Sequence, residues 1–88
     1  MAAVVMYCTA TCGYCHAAEQ LLREKGVVDL EKIRVDLEPS RRSEMAQRSG
    51  RRTVPQIWIG DRHVGGCDDL YALEDAGRLD ELLHAVHP

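Results

Sequence analysis

Thr11-Cys12-Gly13-Tyr14-Cys15-His16 is the stretch from which the fold of this chain can be read. A short apolar run, Val4-Val5-Met6-Tyr7, leads into it, and a helical pattern carrying Ala17-Ala18 and Leu21-Leu22 leads out. The Cys-x-x-Cys pair therefore falls at a strand-to-helix junction, with the first sulfur near the helix N-terminus. Unpaired N–H groups and the helix dipole favour negative charge there. The thiolate is the nucleophilic form of cysteine, so the position predicts a reactive thiolate at Cys12 and thiol–disulfide chemistry.

Working outward, Ala3 to Tyr7 reads as a strand buried on both faces. Residues 13–25 read as a helix whose inward stripe is Ala18, Leu21, Leu22 and the stem of Lys25, ended by Gly26. Lys32-Ile33-Arg34-Val35-Asp36-Leu37 alternates, which predicts a second strand with Ile33, Val35 and Leu37 facing in and Pro39 stopping it. Ser40 is positioned to cap a polar, arginine-rich helix over roughly 41–49, terminated by Gly50. Pro55 opens a third alternating strand, Gln56-Ile57-Trp58-Ile59. Gly60-Asp61 turns the chain, and Arg62-His63-Val64 completes a hairpin. After Gly65-Gly66, a helix over about 68–76 places Leu70, Leu73 and Ala76 on one face, and a last helix carries Leu79, Leu82, Leu83 and Val86. The order β-α-β-α-β-β-α-α gives an α/β fold. A parallel unit from the first two strands joins an antiparallel hairpin in one four-stranded mixed sheet, flanked by helices on both faces. A Cys-x-x-Cys beside a βαβ unit signals a thioredoxin-like redox domain.

The 88 residues leave room for one domain, 1–88, and no second. Apolar residues at 45% and charged residues at 28% argue against disorder. A net charge of −3 gives no general reason to bind nucleic acid or an anionic membrane, and no apolar run approaches spanning length. The first seven residues are too few for a secretory signal, so a cytoplasmic protein is expected. In that reducing setting four cysteines point to metal binding or catalysis rather than to a disulfide framework.

Three rival readings fit fragments of the motif. Cys12-Gly13-Tyr14-Cys15-His16 matches the Cys-x-x-Cys-His haem-attachment pattern, which the strands and the absent signal oppose. The spacing of Cys8, Cys12 and Cys15 matches the cluster motif of radical enzymes that use S-adenosylmethionine, which need a much larger barrel. A structural zinc site on Cys12 and Cys15 lacks a second tight pair, although Cys8, Cys67 and histidines are present. His16 reads as a solvated residue of the first helical turn rather than as a base.

Thr11-Cys12-Gly13-Tyr14-Cys15, then Thr53-Val54-Pro55, then Gly65-Gly66-Cys67-Asp68-Asp69-Leu70 give the chain its family resemblance. In this order and spacing they are highly specific, and nearly end to end the chain resembles a glutaredoxin of the bacterial dithiol class. The resemblance implies a glutathione-dependent thiol–disulfide oxidoreductase in which Cys12 is the nucleophile and Cys15 the resolving thiol. It implies a cis bond before Pro55, the proline being the residue that tolerates one. Val54 then offers its backbone to the cysteinyl part of glutathione by strand addition. Thr53 belongs to the same motif, and Tyr14 lines the groove. Gly66, Cys67 and Asp68 match the site for the γ-glutamyl end, where free N–H groups at a helix start meet the carboxylate and Asp68 pairs with the ammonium or serves as the N-cap. The glycyl carboxylate needs a cation. Five of the eleven basic residues (Arg41, Arg42, Arg48, Arg51 and Arg52) fall in the twelve positions before Thr53, with Arg51 or Arg42 the expected contact. Implied partners are glutathione as co-substrate and disulfide-bearing or glutathionylated proteins, with the chain acting as a monomer.

Two positions depart from the common pattern. Thr9 stands where many relatives have lysine, and Gly13 where many have proline. Glycine at the latter position has family precedent for a dimer that bridges a [2Fe–2S] cluster through two Cys12 thiolates and two glutathiones. The alternative function is therefore an iron–sulfur carrier or redox sensor. Cys67 matches an extra cysteine of some relatives. Cys8 lies outside the pattern and reads as a buried small apolar residue.

Overall fold

The structure, a computed structural model, describes residues 3–86. Its elements are β1 (Val4–Cys8), α1 (Gly13–Glu24), β2 (Glu31–Arg34), α2 (Pro39–Ser49), β3 (Gln56–Ile59), β4 (Arg62–Gly65), α3 (Cys67–Asp75) and α4 (Leu79–Val86). The strands form one sheet in the order β2-β1-β3-β4. β1 runs parallel to β2 and antiparallel to β3, and β3 pairs antiparallel with β4 through an irregularity at Ile57/Trp58. The α/β mixed sheet expected from the motif order is the one observed.

Two apolar layers cover the sheet. On one face Val4, Met6 and Cys8 of β1 and Ile57 and Ile59 of β3 pack with Cys15, Ala18, Leu21 and Leu22 of α1, Leu70 of α3, and Leu79 and Leu83 of α4. On the other face Tyr7, Ile33, Val35 and Trp58 surround Met45, the one buried side chain of α2. A central strand covered on both sides must be apolar at nearly every position, which is why β1 reads as a continuous run. β3 is fully buried as well. Its alternation is therefore between two packed faces, not between core and water, and Gln56 is drawn inside with its neighbours.

Four local expectations are corrected. β2 ends at Arg34 and the chain turns through residues 35–37, so Val35 stays buried while Leu37 is left 69% exposed. A turn abolishes the period of two that would have brought Leu37 inward, and the side chains of Arg34 and Asp36 pair across it at 2.7 Å. Pro39 does not stop the strand; it is the first residue of α2, where a fixed φ and a missing N–H carry no penalty. Glu38, rather than Ser40, is the N-cap, and it makes no side-chain capping bond. Ala76 is the exposed C-cap of α3 instead of a core residue. Lys25 caps α1 and reaches Glu74 at 2.7 Å and Asp80 at 3.2 Å, joining the end of α1 to α3 and α4.

Because α2 has a single buried anchor, Met45→Ala should cost about 2–5 kcal/mol of unfolding free energy in urea. Exposed substitutions along the same helix, such as Gln47→Ala, should stay within about 0.5 kcal/mol.

Candidate active site

The helix–strand junction presents Cys12 as the N-cap of α1. Its backbone is extended (φ −88°, ψ 112°), and its sulfur accepts the N–H of Cys15 at 3.2 Å. The Cys12 carbonyl accepts the N–H of His16 at 3.1 Å, starting the helix. The cysteine thus occupies the place usually taken by serine or aspartate, with one of the orphan helix donors aimed at its sulfur. As a thiol, the same sulfur faces the Val54 carbonyl at 3.7 Å. Gly13 and Tyr14 form an open tip: a Cβ at Gly13 would meet no atom within 4 Å, and Tyr14 is exposed. His16 is exposed and its Nε2 lies 3.0 Å from the Ala10 carbonyl.

Cys15 has the opposite environment. It is buried beneath the helix, and its pKa is pushed up to about 12, by burial first and then by its contact with Cys12. The nearby backbone N–H of Thr9 acts against this rise. Cys15 is therefore a protonated thiol at neutral pH beside a partly exposed one.

The segment Thr53-Val54-Pro55 faces this pair, and the Val54–Pro55 peptide is cis. It is held from behind by the buried amide of Gln56, whose nitrogen donates to the Thr53 carbonyl at 3.0 Å and to its hydroxyl at 3.3 Å. The amide oxygen of Gln56 lies 2.8 Å from His63 Nε2, so that ring nitrogen carries the hydrogen. His63 packs on Trp58 with ring centroids 4.6 Å apart, and the Arg48 guanidinium lies 4.4 Å from the Trp58 ring centre. Burial, and then the charge of Arg51, pushes the His63 pKa down.

A third wall comes from the start of α3. Gly66 is its N-cap, so Cys67 and Asp68 lie in the first turn, and Asp68 is not the cap. Asp69 performs that work instead, accepting the Gly66 N–H at 2.9 Å and the Arg51 guanidinium at 2.8 Å. Arg51, and after it the Gly66 N–H, holds the Asp69 carboxyl below the usual carboxylate range. Gly65 adopts φ +117° against this carboxylate, and a Cβ there would lie 2.4 Å from Asp69 Oδ2. Only glycine fits both constraints.

Between these walls is a cavity of about 290 Å³. The groove residues expected from the sequence all line it, from Tyr14 and Arg51 through Thr53, Val54 and Pro55 to Gly66, Cys67 and Asp68. Arg42 does not; its guanidinium donates to the Arg52 carbonyl at 3.1 Å. Asp69 lines the cavity without having been foreseen, although an acid three residues into a helix is a known capping signal. Gln56 and His63 were also missed, and a hairpin pattern carries no mark of which polar residue turns inward. A larger hollow of about 580 Å³, beside Lys25, Asp80 and His84, has no cysteine in its lining. Among the described residues no three Cys, His, Asp or Glu side chains converge to hold a metal, and no helix is long and apolar enough to cross a membrane.

A four-stranded mixed sheet of this topology, with a Cys-x-x-Cys pair opening its first helix, defines a thioredoxin-like disulfide oxidoreductase. The glutaredoxin family pattern matches residues 4–64, and the chain belongs to the glutaredoxin family. A glutaredoxin of Pseudomonas aeruginosa is 59% identical over 85 residues, spanning 97% of this chain and 100% of its own. Glutaredoxin 3 of Escherichia coli is 53% identical over 83 residues, 94% of this chain and 99% of its own. Among solved structures, a buckwheat glutaredoxin–glutathione complex superimposes with a TM-score of 0.90 at 29% identity, covering 98% of this chain and 80% of the other. The solution structure of a Brucella melitensis glutaredoxin does so with a TM-score of 0.81 at 53% identity, covering 94% and 89%.

The environment of His63 gives the fold a pH dependence. Its folded pKa lies below the ordinary value of 6.5, so the unfolded chain takes up the proton first as pH falls. The stability linked to His63 is complete above about pH 6.5 and declines as pH drops from there through the lower folded pKa. Urea midpoints measured from about pH 7.5 to 5 should fall in the wild type, and fall less in His63→Gln.

Proposed function

We propose that this glutaredoxin reduces protein–glutathione mixed disulfides and protein disulfides with glutathione as its co-substrate. The cavity that meets the Cys12 sulfur at the Val54 carbonyl carries this reading, because its walls offer one complementary group for each part of the tripeptide. The Val54 backbone pairs with the cysteinyl unit. Thr53 and Pro55 shape that edge, and Tyr14 covers it. The first turn of α3, with Gly66 and Cys67, takes the γ-glutamyl carboxylate, while Asp68 takes the ammonium. Arg51, oriented by Asp69, takes the glycyl carboxylate.

Cys12 attacks the glutathione sulfur of a glutathionylated protein. The protein thiolate leaves with the electron pair of the broken bond, and Cys12 carries the glutathione. A second glutathione thiolate then attacks that sulfur, releasing Cys12 and glutathione disulfide. This route does not use Cys15. On a protein disulfide, Cys12 forms the mixed disulfide with the protein; Cys15 then gives up its proton and attacks the Cys12 sulfur, and the protein thiolate leaves with the electron pair of the broken bond. The resulting Cys12–Cys15 bridge is re-reduced by two glutathiones. The high pKa of Cys15 suits this order, since a buried protonated thiol does not compete with Cys12 for the incoming disulfide. We assign the protein to the cytoplasm, where reduced glutathione is maintained, and infer that it acts as a monomer through Cys12 and Cys15.

Gly13 supports a second reading, the cluster-bridged dimer, because the tip between the cysteines is open. The residues of one chain do not make a cluster site: Cys12 is the only cysteine that is not buried. The remaining thiolates would come from a second chain and from glutathione.

In an assay with a glutathionylated peptide and a disulfide-bonded protein, Cys12→Ser should abolish both activities. Cys15→Ser should retain deglutathionylation and lose protein-disulfide reduction; equal loss of both would overturn the mechanism. Arg51→Met should raise KM for the glutathionylated peptide about tenfold, with a smaller change in kcat. An unchanged KM would remove Arg51 from the glycyl site.

A further inference from the structure

The mechanism above uses two of four cysteines, yet a third lies against them. Cys8 ends β1 on the face that packs against α1, and Cys8 and Cys15 belong to the same apolar layer. Both also line a cleft of about 170 Å³ that shares no lining residue with the glutathione groove. Both are buried, and neither is in a disulfide. A disulfide between them asks for Cα atoms about 4.4–6.8 Å apart.

We propose that Cys8 is a third redox-active sulfur, which exchanges with a Cys12–Cys15 disulfide to give a Cys8–Cys15 disulfide and a free Cys12. This rests on the dithiol reading of Cys12 and Cys15. The step is an isomerisation. Cys8 releases its proton to water through the cleft, and its thiolate attacks the Cys15 sulfur. The Cys8–Cys15 bond forms as the Cys12–Cys15 bond breaks, and Cys12 leaves with the electron pair as a thiolate at the N-terminus of α1. No oxidant is required beyond the disulfide substrate that made the first bridge. Burial opposes ionisation of Cys8, while Lys32 and Arg34, which line the same cleft, favour it.

The consequence is a change of mode. With Cys15 held by Cys8 in the core, the enzyme keeps its attacking thiol and its groove but has no resolving thiol. It continues to remove glutathione from proteins and stops reducing protein disulfides until the isomer reverts.

The test is differential labelling. Wild type and Cys8→Ala, which keeps a small apolar side chain, are oxidised with glutathione disulfide and quenched in acid. Free thiols are alkylated with one reagent under denaturing conditions, and protected ones with a second after reduction. Fragment spectra then read each position, counting only molecules whose oxidised mass lies two hydrogens below the reduced chain. The expected result is a wild-type population with Cys8 and Cys15 protected and Cys12 free, absent from Cys8→Ala, which shows only Cys12 with Cys15. If Cys8 is free in every oxidised wild-type molecule while Cys12 and Cys15 are protected, the exchange is overturned and the dithiol reading stands. If Cys12 and Cys15 are not protected together even in Cys8→Ala, the dithiol reading fails and the exchange fails with it.

Discussion

The bond from the Cys15 N–H to the Cys12 sulfur is the constraint on which this molecule turns. A helix start needs an acceptor for its first free donors, and here the acceptor is the first sulfur of the Cys-x-x-Cys pair. Folding α1 and orienting that sulfur are consequently one event. β1 and the main apolar layer fix where the helix starts, and the helix start fixes where the sulfur points. The same bond connects the two cysteines' contrasting environments, since the residue donating to the exposed sulfur carries the buried one.

The two faces of the sheet are built unequally. Three helices and most of the apolar side chains cover one face, whereas α2 rests on the other through Met45. Polar and aromatic contacts supplement that thin layer: the Tyr7 hydroxyl donates to Glu44, Arg48 donates to the same hydroxyl at 2.8 Å, and its guanidinium covers Trp58. From Trp58 the contacts run through His63 and Gln56 to the Thr53 carbonyl. The wall facing Cys12 is thus braced from the weaker side of the sheet.

Much of this was legible in the sequence because the site is made of short motifs whose residue types have few other uses. Cys12 and Cys15 fall at the expected strand–helix junction, the segment 53–55 faces them, and the expected groove residues line the cavity, although Gly66 rather than Asp68 caps α3. What escaped notice depended on contacts distant along the chain. Leu37 continued a perfect alternation, but the strand's partner ends earlier, with Arg34 opposite Cys8. Pro39 has the same local signature whether it breaks a strand or starts a helix. Gln56 looks like a solvent-facing position until both faces of β3 are covered. Arg51 lines the cavity and Arg42 does not, a difference that required Asp69, eighteen positions away, to be brought beside Arg51.

The sheet's outer strands, β2 and β4, have a consequence for how the protein behaves in a crowded solution. A sheet with two free edges is open to unwanted strand pairing with its own copies. Both outer strands are only four residues long, and Glu31, Lys32, Arg34 and Arg62 give them charge. Short, charged borders discourage edge-to-edge pairing with another chain. The perimeter of the sheet is thereby protected from joining with its own copies.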